Sequence, residues 1–275
     1  MKYNIAKWKP EDIELQPIDK AATRKNGIIF YVAAASSFLE STVPEYVKSL
    51  SAFFKQDKEI TKWLNEIWEP EEVNHGRAMR HYIEHVWPEY NWEFAYSSFY
   101  KDYMKYCKVE LLRPTYALEM LARCVTETGA ANFYRMMHLF VKEPVFSEIM
   151  KNMFQDEVRH YSVFFGKYEK YSKYEKVSFY QKFQLVISRN EVVSGEDLYT
   201  AFQHINTGWE NSPPFNLQEY SKIISTIGNI SEKYFPYDMA RNMIFRPFNK
   251  GNILENVAIR VLEVICKIKL KGLVT

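Results

Sequence analysis

W-E-P-E-E-V-N-H-G, Trp68 to Gly76, carries a Glu-x-x-His pair, Glu72 and His75. Residues three apart lie on one face of an α-helix, nearly a turn removed, so both side chains reach one metal ion. The same spacing returns in D-E-V-R-H, where Glu157 precedes His160. The chain has six His, and His81, His85, His138 and His204 lack a Glu three residues earlier. The spacing therefore singles out two histidines.

Outward from each pair, a lone Glu precedes it on an apolar segment. Glu40, in F-L-E-S-T-V-P, lies 32 residues before Glu72, and Glu127, in C-V-T-E-T-G-A-A, lies 30 residues before Glu157. Helical bundles that hold two iron or manganese ions take one Glu from each of two helices and a Glu-x-x-His pair from each of two others. A carboxylate buried without a cation is costly, which favours metal ligation at Glu40, Glu72, His75, Glu127, Glu157 and His160. The expected fold is all-α, with two ligand-bearing helical hairpins repeated at an interval of 85 residues.

Proline and loop signals divide the chain accordingly. Residues 1–26 hold Pro10 and Pro17 without sustained periodicity and are expected to form an extended lead-in. A first helix is expected from Gly27 to about Lys55, bent or broken by Pro44, which has no amide hydrogen. Ser36 and Ser37 keep the bulk small one turn before Glu40. The second ligand helix is expected over Glu59 to Val86, with Pro70 near a helix start or just past a kink. An aromatic-rich stretch, Tyr90 to Lys108, separates it from runs opened by Pro114 and Pro144, which carry the remaining ligands.

Further helices are expected over 172–190, 193–208, 217–234 and 252–271, with a loop at Asn211 to Pro214. Residues 27–275 thus read as one domain, a ligand-bearing core at 27–170 and accessory helices at 171–275.

Composition narrows the function. A 47% hydrophobic share supplies a sizeable core, and nine Gly in 275 residues suit a helical chain. A formal charge of +2 gives no electrostatic case for nucleic acid. Cys107, Cys124 and Cys266 are odd in number and far apart, which fits a reducing, cytoplasmic setting and offers no zinc cluster. The amino-terminal stretch has no continuous apolar core of the kind a signal peptide needs, and no transmembrane segment is expected.

The motifs resemble those of the soluble acyl-carrier-protein desaturases, ferritin-like di-iron carboxylate proteins. Glu40 with Pro44 and Tyr46 is similar to the family's first helix. Trp68, Glu71, Glu72, His75 and Gly76 match W-x-x-E-E-x-x-H-G, and Asp156, Glu157, Arg159 and His160 match D-E-x-R-H. The resemblance spans roughly residues 27 to 170. It implies a ferritin-like bundle, two irons, dioxygen as co-substrate, a ferredoxin-type reductant, acyl carrier protein as partner and a homodimer. Two positions depart from it. Asn74 stands where the family usually has Arg, and Ala130 where a Thr is expected one turn after the third-motif Glu.

Four carboxylates and two imidazoles suit iron or manganese better than soft-ligand metals. With dioxygen, hydrogen removal from two neighbouring carbons gives an alkene, and return of oxygen gives an alcohol. Three functions therefore compete: an acyl-carrier desaturase, a di-iron oxygenase or hydroxylase of another small molecule, and an iron-oxidising storage protein. Asp156 is a candidate to fix a ligand histidine from behind, and Trp68 either relays electrons or packs in the core. Ala130, Phe133 and Met137 are candidates to line a substrate channel, although a Met and aromatic stripe also reads as ordinary core. Lys167, Lys170, Lys173 and Lys176 read as a solvated charged face rather than a dock for an acidic carrier.

Overall fold

The computed structural model describes residues 3–194, 196–211 and 215–248. The helix expected over 252–271, Cys266 and Ser212 to Pro214 lie outside the described residues. The protein is an all-α bundle, and no strand occurs among the described residues. In chain order the helices are α1 (Lys20–Arg24), α2 (Gly27–Ser41), α3 (Val43–Phe53), α4 (Lys58–Trp63), α5 (Glu69–Val86), α6 (Trp92–Tyr103), α7 (Tyr116–Phe140), α8 (Pro144–Tyr171), α9 (Phe179–Ser194), α10 (Glu196–Ile205), α11 (Leu217–Tyr234) and α12 (Tyr237–Phe245). The last of these has no counterpart in the sequence expectation, and residues 1–26 are not extended throughout: Pro10–Asp12 forms a 3-10 turn, and Asp19, accepting from the Ala22 amide, caps α1.

Local chemistry sets the boundaries of the ligand helices. Thr42 separates α2 from α3, and Pro44 occupies the first turn of α3, where its missing amide costs nothing. Asp57 caps α4 by accepting from the amides of Glu59 and Ile60. Glu143 does the same for α8 at Val145 and Phe146, with Pro144 in the first turn. Thr115 caps α7 through Leu118 N.

Between α4 and α5 the helix continues as a π turn, Leu64–Trp68, in which the Glu69 amide reaches back to the Leu64 carbonyl. Pro70 comes immediately after, so the helix widens just before a residue that cannot donate. One extra residue rotates the downstream helix by about 100°. Beyond the turn, Glu71, Glu72 and His75 all point inward and are buried.

Two antiparallel hairpins make the core. In the first, α2 packs on α5, and Arg24 just before α2 bonds the Val86 carbonyl at the end of α5. In the second, α7 packs on α8, with His138 meeting Ser147 across the turn. Gly76 allows the first pair its close approach. A Cβ there would lie 2.5 Å from Ser41 Oγ and 3.0 Å from Ser41 N on α2.

Two apolar clusters fill the bundle: α7 and α8 pass from one to the other, as do α2 continued by α3 and the π turn continued by α5. Phe38, Met79, Tyr82, Phe146 and Met153 belong to the first; Leu50, Phe54, Trp63, Leu121 and Phe164 belong to the second. Along the chain, α2 and α8 enter their ligands from the first cluster, whereas α5 and α7 enter from the second. The ligand layer is therefore sandwiched between dry packing on both sides. α9, α11 and α12 pack on α7, while α10 packs on α6 and α2. The helical stretch Gly27–Phe53 is long and apolar enough to qualify as a membrane span by composition, with a mean hydropathy of 1.2. In the fold it is a core element that carries Glu40.

Candidate metal centre

All six expected ligands meet in the layer between the two clusters. They form two overlapping sets, Glu40, Glu72, His75 and Glu157, and Glu72, Glu127, Glu157 and His160. Within each set the ligand atoms lie within 4.8 Å of one another. Glu72 and Glu157 belong to both, so the two groups overlap through two shared carboxylates. Each lone Glu joins the His of its own hairpin: Glu40 with His75, Glu127 with His160.

The inner ring nitrogens face the shared carboxylates. His160 Nδ1 lies 3.0 Å from Glu72 Oε1 and 3.3 Å from Glu157 Oε2. His75 Nδ1 lies 3.3 Å from Glu72 Oε2 and 3.4 Å from Glu157 Oε1. Yet among the described residues His75 Nδ1 and Glu157 Oε1 find no hydrogen bond, although both are buried. Buried polar atoms of this kind are rare unless something else satisfies them. Two atoms orphaned at one point, amid four carboxylates, fit a divalent cation. The buried Glu and His groups are thus able to hold metal, and hard oxygen donors with imidazole are compatible with iron.

Protonation obeys the same geometry. Burial, then the neighbouring Glu72 and Glu157, pushes Glu40 well above the ordinary carboxylate range. Burial and Glu157 do the same to Glu127. At Glu72 burial again opposes the charge, but His160 and His75 overcome it and hold the carboxyl well below its usual range. Glu157 is lowered as well: burial and Glu72 oppose its charge, and His160 and His75 outweigh them. Burial lowers both imidazoles, but the carboxylates around them prevail and raise His75 and His160 well above normal.

The outer ring nitrogens are held by a crossed pair of acids. Asp156, next to Glu157 on α8, puts Oδ2 3.1 Å from His75 Nε2 on α5. Glu71, next to Glu72 on α5, puts Oε2 2.7 Å from His160 Nε2 on α8. Each acid thus supports the histidine of the other hairpin and aims its Nδ1 at the centre. Asp156 takes the place expected for it. Glu71 has no role assigned from sequence, although the same offset, an acid just before the ligand Glu, occurs in both motifs.

No family model, curated protein or solved structure matches the chain. The site must be read from its own residues.

Trp68 packs against Trp63 and Phe164 in the second cluster, and its indole N–H has no partner among the described residues. The tryptophan that reaches the centre's supports is Trp8, from the amino-terminal lead-in. Its Nε1 donates to Asp156 Oδ2 at 2.8 Å, and its ring stacks on His75 at 5.9 Å. Nothing in the sequence marks this contact, since a single Trp among polar residues carries no periodicity.

The channel candidates separate. Met137 is fully buried in the first cluster; Phe133 and Ala130 are half-buried and pack against it. Ala130 brings no hydroxyl, and Thr126 and Thr128 bond back to the carbonyls of Ala122 and Cys124. The hydroxyl at the centre is instead that of Tyr134, two turns beyond Glu127 on α7, which donates to Glu40 Oε1. Lys167 corrects the expectation of a solvated face. It is buried and pairs with Glu59 at 2.7 Å, while Lys170 pairs with Asp57 at 2.8 Å. Lys173 and Lys176 lie beyond the end of α8.

Proposed function

We propose that this protein is an oxygen-dependent di-iron oxidoreductase that introduces a double bond into a fatty acyl chain carried as a thioester on acyl carrier protein. The observation that carries the reading is the pair of ligand sets sharing Glu72 and Glu157. The motifs around those residues add the substrate class by resemblance. A ferredoxin-type reductant, a homodimer and a ferritin-like lineage come with the same resemblance.

Glu40 and His75 would hold one iron, Glu127 and His160 the other, and Glu72 and Glu157 both. Four carboxylates would balance the charge of two divalent ions. A pair of ferrous ions supplies dioxygen activation and the two-electron oxidation of an unactivated C–H bond. The chain's own residues do the rest. Asp156 and Glu71 keep the imidazole Nδ1 atoms turned inward. Tyr134 holds a proton at Glu40 Oε1, where Ala130 offers none. The apolar clusters on either side keep the layer dry, which strengthens each electrostatic contact within it.

Oxygenation of a more compact molecule is the second reading, and it draws on one observation. Met137, a channel candidate, is packed into the core rather than half-open like Phe133.

The test supplies the iron-loaded protein with acyl-carrier substrates of several lengths, a reductant, a ferredoxin and oxygen, with a Glu157→Ala variant as control. An alkene product that the variant does not form supports desaturation, and a product retaining oxygen supports the second reading. Iron oxidation with no organic product over the whole panel overturns both and leaves iron storage.

A further inference from the structure

The lead-in crosses the outside of the centre without helical structure. Ala6 and Trp8 are half-buried and meet the two supporting acids, while Asn4, Ile5 and Lys7 are exposed. The Ala6 amide donates to Glu71 Oε1 at 2.6 Å, and Trp8 Nε1 donates to Asp156 Oδ2. Between them stands Arg159 on α8. Its Nη2 pairs with Asp156 Oδ1 and lies 3.3 Å from Glu71 Oε2, and its Nη1 donates to the Asn4 carbonyl at 2.9 Å.

Each acid therefore receives three donors: a ligand imidazole, the one guanidinium, and a group from the lead-in. Asn74, at the position equivalent to Arg159 in the first motif, accepts from Arg77 instead and offers the acids no charge. Among the described residues Arg159 is the cation that touches both.

We propose that Arg159 and the docked segment Asn4–Trp8 form one positioning set that couples the two metal positions. The inference rests on the two-metal reading of the centre. Asp156 governs the orientation of His75, and Glu71 that of His160. Both acids are bound to one planar fork, so fixing one when its histidine takes a metal fixes the other through Arg159. Nη2 meets both acids while Nη1 of the same plane holds the Asn4 carbonyl, a fixed geometry that a freely rotating ammonium does not impose. Linkage is reciprocal: whatever the docked segment adds to metal affinity, metal adds to docking.

The test uses the full chain, metal-free, titrated with Co(II). Its visible absorption counts bound ions and reports their coordination, and hydrogen exchange at the Ala6 amide reports docking. Wild type is expected to fill two positions in one cooperative transition, with exchange at Ala6 slowed on loading. In Arg159→Gln the transition should divide into two, the weaker step about 10- to 100-fold poorer, with no metal-dependent slowing at Ala6. Arg159→Lys keeps the charge, serves if Arg159→Gln does not fold, and should divide in the same way. Trp8→Phe keeps the ring on His75 and removes its donor, so it should weaken the Glu40–His75 position most and, with Arg159 intact, pass a smaller loss to the other. Two ions in wild type, with unchanged loading and Ala6 protection in both Arg159 variants, overturn the coupling. Fewer than two ions in wild type overturns the two-metal reading itself.

Discussion

Asp156 crosses the bundle to hold His75 of the opposite hairpin, its Oδ2 3.1 Å from the ring Nε2. The acid and the ligand beside it, Glu157, thus act on the same imidazole from opposite sides. Removing the charge but keeping the shape isolates this support. Asp156→Asn is expected to weaken metal binding at the Glu40–His75 position by about 10- to 100-fold. Glu71→Gln should do the same at the Glu127–His160 position. Competition titrations against a chelator of known affinity would check both, and unchanged affinity would refute the role.

Metal binding should expel protons. Glu40, Glu127, His75 and His160 are all raised, which favours their protonated forms in the metal-free protein, and a bound cation competes with those protons. Affinity is therefore expected to rise with pH. The metal-free fold has the opposite dependence. A histidine raised on folding gives stability that is present below its unfolded value, about 6.5, and lost as pH climbs toward the folded value. The raised carboxyls act in the same direction from about 4.5 upward, against the lowered Glu72 and Glu157, whose contribution is lost on acidification. From about pH 6.5 upward the metal-free melting temperature should fall, and with saturating Mn(II) the fall should vanish or reverse. Thermal melts at several pH values would decide it.

The helical class and the six inward side chains are legible in the sequence because each obeys a short-range rule. Three-residue spacing fixes a shared face, and Pro44, Pro114 and Pro144 punctuate the helices. The π turn at Leu64–Trp68 is not legible. Its cause, a helix running into Pro70, is visible in sequence, but the choice of widening over kinking is made by tertiary packing. Trp8 and Arg159 escape for a related reason. Their partners lie 148 and 88 residues away, at Asp156 and Glu71, and no local period encodes such a contact. Lys167 misleads because a lysine on a helix reads as solvated until Asp57 and Glu59 are brought against it.

Gly76→Ala tests the hairpin contact that brings Glu40 to Glu72. In an open helix the change would stabilise by roughly 0.5–1 kcal/mol. Here the new Cβ meets the Ser41 hydroxyl and amide, and overpacking typically costs about 1–3 kcal/mol. The clash should win, giving a net loss of about 1 kcal/mol in urea denaturation. Ser41→Ala in the same chain removes the Oγ contact and should restore part of it. A more stable Gly76→Ala protein would mean that α2 and α5 yield freely.

Lys167→Ala should destabilise the protein without affecting any carrier interaction. The side chain is buried, with Glu59 and Asp57 as partners, and its loss strands those charges. Glu59 is 44% exposed and Asp57 also binds Lys170, so water and the remaining lysine limit the loss to about 1–2 kcal/mol. Denaturation together with a binding assay against acyl carrier protein separates the two roles. Weaker carrier binding at unchanged stability would restore the docking interpretation.

Tyr134→Phe removes the hydroxyl that donates to Glu40 while preserving the ring packed beside Phe133. A lost hydrogen bond of this kind costs about 1 kcal/mol, and no ligand is removed, so the variant should fold and take up two ions. What it lacks is a proton held against the centre. A positioned acid or base contributes roughly 10²- to 10⁴-fold to steps that move a proton. Single-turnover oxygen consumption by the reduced, iron-loaded variant is therefore expected to slow by about 100-fold or more, with the metal count unchanged. If oxygen consumption matches wild type, Tyr134 serves only to orient Glu40, and the proton must reach the centre by another path.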